Sequence, residues 1–428
     1  MSHPLDEIVL AQKRGEVLGT PSVCSAHPWV LKTALHGTAP VLVEATCNQV
    51  NQFGGYTGMT PADFVRFVHG IAADNDLPPE RLILGGDHLG PSPWQDSGME
   101  AAMARAEAMV QSYVRAGFTK IHLDASMPLG DDDPAHPLDS GLVARRTTRL
   151  ARAAEEASER TQDLALGLRY VIGSEVPVPG GSMERGDGVP VTRVEDAAAT
   201  LEVMHAAFLE AGLASAWERV AAVVVQPGVE FGDGFIQDYD PDLARDLALY
   251  SETTPFIYEA HSTDYQTREN LRSLVRDHFA ILKVGPALTF AFRQAVFALA
   301  GMEDELLPPE RCSHLVEALD AAMRREPIHW KKYYHGDETE LALARKNSLS
   351  DRARYYWGDR EVQEALTKLI ANLEEVHLPL GLISQHLPGV YAGILSGSIA
   401  NSARQIVHHQ IQSVLDDYSY ACRGPASI

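Results

Sequence analysis

Residues 82–124 read LILGGDHLGPSPWQDSGMEAAMARAEAMVQSYVRAGFTKIHLD, and this stretch decides which class of fold the sequence predicts. It opens on the apolar segment Leu82–Gly85 and closes on Lys120–Asp124, and both are candidate strands. Between them, Met99–Ala116 places apolar side chains on one helical stripe and stops at Gly117, a common helix terminator. A strand, a helix and a second strand in this order predict two parallel strands joined by a crossover helix.

The same alternation recurs along the first 300 residues and gives eight candidate strands. Most of them are continuous apolar runs, as expected for strands buried on both faces. Thr60, followed by Pro61 and Asp63, predicts the start of one intervening helix. Eight strands that alternate with helices predict either a closed (β/α)8 TIM barrel or an open, doubly wound sheet. The candidate strands are Pro21–Ala26, Val41–Glu44, Leu82–Gly85, Lys120–Asp124, Leu166–Val171, Val220–Gln226, Pro255–Glu259 and Phe279–Val284.

The lack of a nucleotide-binding motif favours the barrel. No candidate strand is followed by GxGxxG or GxxxxGK[ST], the glycine-rich motifs that open nucleotide-binding sheets. Beyond residue 300 the strand pattern stops and no low-complexity linker intervenes. We therefore expect a barrel over residues 1–300 and, over residues 301–428, a helical extension packed on it rather than an independent domain. We expect the aromatic residues of that extension in the core or at a subunit interface rather than against a ligand: His329, Trp330, Tyr333, Tyr334, Tyr355, Tyr356 and Trp357.

Composition restricts the class of partner. The 428 residues are 45% hydrophobic and 22% charged, which is typical of a folded globular protein. A formal net charge of −22 argues against nucleic acid or an anionic membrane as partner. The four cysteines are widely spaced, which favours a reducing compartment. The N-terminal residues lack the apolar segment of a signal peptide and no apolar run approaches about 18 residues. These features predict a soluble, cytoplasmic protein.

Polar side chains stand at the C-terminal end of nearly every predicted strand, where the active sites of (β/α)8 barrels lie. Buried polar groups without partners cost about 1–3 kcal/mol each, so packing alone explains them poorly. The candidates for binding a substrate are Glu44, Asn48, Gln49, Asn51, Gln52 and Asp264. Further strand-end residues are Asp87, His88, His122, Asp124, Glu175, Gln226, Glu230, Glu259, His261 and Lys283.

Two of these residues indicate a metal. His88 and His261 follow the third and seventh strands, with carboxylates on the strands between them. Neutral imidazoles with carboxylate or amide oxygens suit Zn²⁺, Mn²⁺ or a similar divalent ion. Asp87 would then be free to act as an acid or base on a substrate hydroxyl. A single histidine at a strand end more often bonds a carbonyl group, and only the set indicates a site.

One connection is long enough to form a lid. Gly173–Gly181, continued by Arg185–Gly188, exceeds the usual length of a strand-to-helix loop. We interpret it as a lid or substrate wall, and a passive surface excursion is the alternative.

Several of these segments resemble the tagatose-1,6-bisphosphate aldolase GatZ/KbaZ-type subunit family. They read EATCNQVNQFGGYTGMTP (44–61), GGDHLGPSPW (85–94), GSEVPVPGG (173–181) and YEAHSTDYQ (258–266), and the resemblance extends to LPLGLISQHLP (378–388). It implies a (β/α)8 fold related to class II aldolases. It also implies either a non-catalytic partner that stabilises a separate aldolase subunit or, as described for some relatives, a metal-dependent C4 epimerase of ketohexoses or tagaturonate.

The resemblance also implies roles for individual residues. Asp87, His88, Asp124 and His261 match the aldolase pattern, whereas Gln226 stands where that pattern has a metal-binding histidine. The stretch that holds a substrate phosphate in those aldolases is glycine-rich, and here Ala260–Asp264 contains no glycine. That difference favours a neutral sugar or a sugar acid, held by Asn48, Gln49, Asn51 and Gln52, over a bisphosphate.

Together these features predict a metal-dependent ketohexose C4 epimerase of the tagatose/fructose type, which works by retro-aldol cleavage and aldol re-addition. The expected proton-transfer pair is Asp87 and Asp124, although Asp124 could instead only orient a ligand histidine. The expected ligands of a Zn, Mn or Ni ion are His88, Glu175, Gln226 and His261.

Two other functions remain open. One is a non-catalytic stabilising subunit of tagatose-1,6-bisphosphate aldolase, whose partner is the catalytic subunit. The other is an aldolase of a phosphorylated ketose in its own right. For the epimerase, the expected partner is a small ketose or a sugar acid. Each of the three functions leaves a homo-oligomer open.

Overall fold

Eight parallel strands close into a barrel. The computed structural model describes residues 3–36, 40–133, 136, 138–161, 167–173 and 188–424. The barrel strands, in order around the barrel, are β1 (Thr20–Val23), β2 (Val41–Thr46), β3 (Leu82–Leu89), β4 (Lys120–Leu123), β5 (Arg169–Ile172), β6 (Val220–Val224), β9 (Ile257–Ala260) and β10 (Phe279–Val284), which pairs with β1. The predicted barrel is thus confirmed, and the open doubly wound sheet is wrong. The sequence did not predict an antiparallel ribbon of β7 (Glu230–Phe231) and β8 (Ile236–Gln237) between β6 and β9.

Helices surround the barrel and form the whole C-terminal segment. Those up to the last barrel strand are α1 (Pro4–Lys13), α2 (Pro28–Ala34), α3 (Pro61–Asp74), α4 (Met99–Ala116), α5 (Ser140–Glu159), α6 (Val194–Glu210), α7 (Ala214–Trp217), α8 (Pro241–Glu252) and α9 (Arg268–Arg276). After it come α10 (Pro286–Leu306), α11 (Leu315–Arg325), α12 (Glu338–Asn347), α13 (Arg360–Glu374), α14 (Leu380–His386), α15 (Pro388–Ser396) and α16 (Ala403–Arg423). Short 3-10 helices lie at Pro79–Arg81, Ser92–Trp94, Pro309–Arg311, Pro327–His329 and Arg352–Tyr355.

Local sequence signals place the helix ends. The backbone N–H of Asp63 donates to Thr60 Oγ1 at 3.3 Å, and the N–H of Thr60 donates to Asp63 Oδ2 at 3.0 Å. This reciprocal cap starts α3 where the sequence predicts it. Helix α4 ends at Gly117, whose φ of +102° is in the left-handed region that glycine adopts without strain.

The barrel interior is built in layers, and alternation along the strands sets what each layer contains. An apolar layer includes Leu42, Ile257 and Ile281, and α1 closes it from below with Leu5 and Ile8. Side chains two positions apart on a strand point to the same face. The next inward positions along β2, β9 and β10 are therefore the charged residues that end up in the centre of the barrel.

The C-terminal segment folds back over the barrel. Helix α16 packs against α9 and α10, and Tyr418 Oη donates to the carbonyl oxygen of Thr263 at 2.9 Å. In front of the Arg352–Tyr355 helix, the Asp351 carboxylate lies 2.8 Å from Arg293 Nε in an ion pair and accepts a hydrogen bond from Thr289 Oγ1 at 2.5 Å, and both partners are on α10. These bonds fix the short helix at the C-terminal mouth of the barrel. The predicted boundary at residue 300 falls inside α10.

The four cysteines of the chain form no disulfide. Cys24, Cys47, Cys312 and Cys422 are all free thiols, and all but Cys24 are buried. Among the helices of the described ranges, none is long and apolar enough to cross a membrane.

Candidate active site

A layer of paired charges crosses the barrel interior above the apolar layer. Lys120 Nζ lies 2.8 Å from Glu44 Oε2 and 2.7 Å from Glu259 Oε2. Lys283 Nζ lies 2.9 Å from the same Glu44 oxygen and 3.4 Å from Glu259 Oε1. All four residues are buried, and buried charges persist only when they are paired. Gly85 makes room for this layer, because a Cβ there would lie 2.7 Å from Glu44 Cγ.

Asp87 stands at the pocket side of this layer, near the end of β3. Its Oδ1 lies 2.7 Å from Lys283 Nζ and 2.9 Å from His122 Nδ1. Burial would raise the pKa of Asp87, but the neighbouring Lys283 and His88 hold it well below its usual value. Asp87 is therefore an ionised carboxylate that can accept a hydrogen bond from a sugar hydroxyl, although its low pKa makes it a weak base.

His88 is held from behind by Asp124. His88 Nδ1 lies 2.8 Å from Asp124 Oδ2, while Asp124 Oδ1 accepts from the N–H and Oγ of Ser126 at 3.1 and 2.6 Å. The backbone of His88 has a φ of +49°, which is uncommon outside glycine and recurs at functional sites. Both Asp124 oxygens are thus engaged, and Asp124 is not among the residues that line the pocket. Its geometry fits the orienting role better than direct proton transfer.

Four buried residues could hold a metal ion. Asp87, His122, Glu259 and His261 each offer one ligand atom, and these atoms lie within 4.8 Å of one another. His122 Nε2 is buried and has no hydrogen-bond partner within the described ranges. Burial lowers the pKa of His261 to about 3, so His261 is neutral. Two imidazoles and two carboxylates suit Zn²⁺ or Mn²⁺. The set fits a divalent ion, which would share the oxygens of Asp87 and Glu259 with Lys283.

This set overlaps only partly with the predicted ligands. His261 belongs to it, and the His88 ring lies 4.8 Å from the His261 ring without being a member. Gln226 lies apart, since its Oε1 accepts from the N–H groups of Gly228 and Val229 at 2.8 and 3.1 Å. Glu175 and most of the predicted lid, residues 174–187, lie outside the described residues.

The sequence prediction gave no role to His122 and Glu259. Both stand at strand ends, and alternation could have assigned them to the interior. Glu259 follows the inward-facing Ile257 by two positions, and His122 follows the interior Lys120 by two.

The barrel mouth opens into a pocket of about 470 Å³. Its floor includes Asp87, His88, His261 and Lys283. Three of the predicted substrate-binding residues line it as well: Asn48, Gln49 and Asp264. Carboxylate, imidazole, ammonium and amide groups therefore face one space of the size that small ligands occupy.

The other predicted substrate-binding residues have different surroundings. Glu44 lies below the pocket in the charged layer, where Ser22 Oγ donates to its Oε1 at 2.6 Å. Asn51 Oδ1 accepts from the N–H groups of Phe53 and Gly55 at 2.9 and 3.2 Å, and Gln52 Nε2 donates to the Arg105 carbonyl at 3.0 Å. Asn51 and Gln52 thus hold the shape of the loop that presents Asn48 and Gln49.

One wall of the pocket comes from the C-terminal segment. It consists of Ile328, His329, Lys332, Tyr333, Arg352, Arg354 and Tyr355. The Tyr355 ring lies 4.6 Å from His329, stacked, and 4.7 Å from Tyr56 of the barrel. Of the seven aromatic residues expected in the core or at an interface, Trp330, Tyr334, Tyr356 and Trp357 are buried, whereas His329, Tyr333 and Tyr355 line the pocket. The wall forms because Asp351 anchors the short helix to α10, a contact that no local pattern encodes.

Asp264 occupies the N-terminus of α10. Its Oδ1 accepts from the N–H groups of Gly285 and Ala287 at 3.0 and 2.8 Å. Burial raises the pKa of Asp264 to about 6. Because this carboxylate already fills the helix end, an anionic group of a ligand must be held elsewhere in the pocket.

Comparison with known proteins gives a consistent result along the chain. A family model described as D-tagatose-1,6-bisphosphate aldolase subunit GatZ/KbaZ-like matches residues 5–423. The chain is 52% identical over 422 residues to proteins named D-tagatose-1,6-bisphosphate aldolase subunit GatZ from Klebsiella pneumoniae and Salmonella paratyphi B. Each alignment covers 98% of this chain and 99% of the relative.

A solved structure agrees with the fold. The crystal structure of a protein described as a probable tagatose 6 phosphate kinase from Sinorhizobium meliloti superposes with a TM-score of 0.86 at 46% sequence identity. The match covers 94% of this chain and 100% of that one. The barrel and its helical C-terminal segment are therefore shared along the full length of that protein.

Proposed function

Because this chain belongs to the D-tagatose-1,6-bisphosphate aldolase subunit GatZ/KbaZ-like family, we propose that it acts in carbohydrate metabolism as the GatZ-type subunit of a tagatose-bisphosphate aldolase. The observation that carries the proposal is the end-to-end alignment with GatZ subunits at 52% identity. No large insertion or missing segment separates the two, since 98% of one chain aligns with 99% of the other. In this function the chain assembles with a separate catalytic subunit.

The barrel mouth supports a ketose as the small molecule of this subunit. Asp87 and Asp264 can accept hydrogen bonds from hydroxyl groups, and the amides of Asn48 and Gln49 can both donate and accept. Lys283 places a cation beside Asp87 at the pocket floor, where it can polarise a ligand oxygen. A polyhydroxylated, acyclic sugar satisfies such a lining better than an apolar ligand does.

A divalent metal ion fits the same proposal. The residues that would hold it are Asp87, His122, Glu259 and His261. When bound, such an ion supplies Lewis-acid polarisation of a carbonyl oxygen. His88, oriented by Asp124, would then contact the ligand from the neighbouring strand end.

Two observations favour the metal-dependent C4 epimerase as a second candidate. The first is that Asp87 at the pocket floor is ionised. The second is that Asp87, His122, Glu259 and His261 could hold a metal ion. A subunit that only stabilises its partner requires neither feature. In this function Asp87 accepts a hydrogen bond from a ketose hydroxyl and so orients it, and Asp124 positions His88.

Association and turnover distinguish the two functions. Size-exclusion chromatography of the full chain, mixed with the catalytic subunit of a tagatose-bisphosphate aldolase, is expected to show a joint complex. Separate elution at micromolar concentrations would contradict the proposal. Incubation of the chain alone with Mn²⁺, Zn²⁺ or Ni²⁺ and tagatose, fructose or tagaturonate, followed by sugar chromatography, tests the epimerase. Conversion at C4 would establish that activity.

A further inference from the structure

The C-terminal wall of the pocket gathers three cations that form no ion pair with a carboxylate of the described residues. Lys332, Arg352 and Arg354 line the pocket together. In the described part of the chain, no ion pair joins any of the three to an acidic side chain, although the chain as a whole has a net charge of −22. Asp351, the acid beside them in sequence, is already bound to Arg293 and Thr289.

Arg352 is the most constrained of the three. It is only 4% exposed, and its guanidinium lies 3.0 Å from the centre of the Tyr333 ring. Nη1 donates to the His329 carbonyl at 3.1 Å, and the buried Nε has no hydrogen-bond partner among the residues that the structure describes. A guanidinium carries five N–H donors, and leaving one buried and unpaired is unfavourable. Arg352 therefore stands at the wall with donor capacity that the described residues leave unused.

Arg354 is held so that its charge faces the same space. Its Nη1 donates to the Asp351 carbonyl at 3.1 Å, and its Nη2 donates to Tyr355 Oη at 2.9 Å. The guanidinium lies 4.5 Å from the centre of the Tyr355 ring. Backbone and aromatic contacts therefore pre-organise two arginines at one wall, and the exposed Lys332 adds a third cation at the rim.

We propose that Arg352, Arg354 and Lys332 form a phosphate site, which binds a terminal phosphate group of a ketose phosphate whose hydroxyls face Asn48, Gln49 and Asp87. The planar fork of arginine matches phosphate oxygens, and the α10 N-terminus is filled by Asp264. The C-terminal segment, rather than a glycine-rich strand-end loop, thus selects an anionic ligand. This inference rests on the proposed function for the identity of the sugar, and it replaces the neutral sugar that Ala260–Asp264 suggested.

Calorimetric titration of the full chain tests the site with four probes: D-tagatose 1,6-bisphosphate, D-tagatose, D-tagaturonate and inorganic phosphate. We expect the bisphosphate to bind at least 10-fold more tightly than tagatose, because charge-assisted bonds to phosphate are lost in the free sugar. Equal affinity for these two sugars would overturn the proposal. Tighter binding of tagaturonate than of the bisphosphate would assign the wall to a carboxylate and overturn it as well.

Variants locate the effect at the wall. Lys332→Gln is expected to weaken bisphosphate binding about 3- to 10-fold, whereas Lys331→Gln, its exposed neighbour outside the pocket lining, should leave it unchanged. Arg352→Lys keeps the charge and removes the fork, and about a 10-fold loss is expected for the bisphosphate with none for tagatose. Wild-type affinity for the bisphosphate in folded Lys332→Gln and Arg352→Lys proteins would overturn the site.

The same variants separate this inference from the proposed function. Arg352→Lys should still elute with the catalytic subunit, because the wall faces the pocket interior. If the chain binds the phosphate ester but does not associate with the catalytic subunit, the subunit function is refuted and the phosphate site is retained. If the chain associates with the catalytic subunit but the wall variants bind the bisphosphate as tightly as wild type, the phosphate site is refuted and the subunit function is retained.

Discussion

Replacing Lys283 with methionine removes the cation that three carboxylates share inside the barrel. Its Nζ lies 2.7 Å from Asp87 Oδ1, 2.9 Å from Glu44 Oε2 and 3.4 Å from Glu259 Oε1. Methionine keeps most of the aliphatic volume, so the change is mainly one of charge. Removing one partner of a buried ion pair costs about 3–5 kcal/mol, because the stranded charge stays desolvated. We expect Lys283→Met to lose about that much free energy of unfolding, a large share of the roughly 5–15 kcal/mol typical of a folded protein.

A double variant separates charge from packing. In Lys283→Met/Glu44→Gln one carboxylate charge is removed with the ammonium, and Lys120 remains paired with Glu259. We expect this variant to recover about 2 kcal/mol relative to the single variant. Urea unfolding followed by circular dichroism gives the free energies, and Lys331→Met on the surface is the matched control, expected within about 0.5 kcal/mol of wild type. A single variant within about 1 kcal/mol of wild type, or a double variant less stable than the single one, would refute the shared-cation reasoning.

Three further predictions concern the metal set, Asp264 and Gly85. His122→Ala and His261→Ala should each lower Co²⁺ occupancy at least about 10-fold in elemental analysis, with His408→Ala as control; full occupancy in either variant removes that residue from the set. The pKa of Asp264, about 6 when folded against 3.8 unperturbed, stabilises the fold below pH 4, and this contribution is lost as the pH rises through 6. Asp264→Asn should therefore remove a decline of about 2–3 kcal/mol in unfolding free energy between pH 4 and 7, and parallel pH profiles would contradict it. Gly85→Ala should cost about 1–3 kcal/mol in urea unfolding, because the Cβ would meet the pinned Glu44 side chain; an unchanged midpoint would show that Glu44 can move.

The barrel strands were predictable because most of them are continuous buried runs. Residues 220–224, for example, are apolar throughout, and the structure pairs them on both sides with parallel neighbours. The β7–β8 ribbon was not predictable in the same way, since each of its strands contributes only two residues. Such a short pairing leaves no periodic signal in the sequence.

Only the part of the site that lies at the C-terminal ends of the strands was predictable from the sequence. The sequence indicates Asp87, His88 and His261, because polar residues that follow buried strands point into a barrel mouth. The depth of each residue was not predictable: Glu44 lies in the charged layer and Asp124 behind His88. Arg352 and Arg354 reach the pocket through bonds between Asp351 and α10, and no periodicity in the sequence encodes such a contact.

The rate of D-tagatose 1,6-bisphosphate cleavage by a catalytic aldolase subunit tests the central claim most directly. The rate is measured with and without this chain, before and after incubation at growth temperature, with an equal amount of an unrelated barrel protein as control. We expect this chain, and not the control, to form a complex and preserve or raise the cleavage rate. The assignment as a tagatose-bisphosphate aldolase subunit would be contradicted if the chain changed neither the initial cleavage rate nor the activity that the catalytic subunit loses during the incubation.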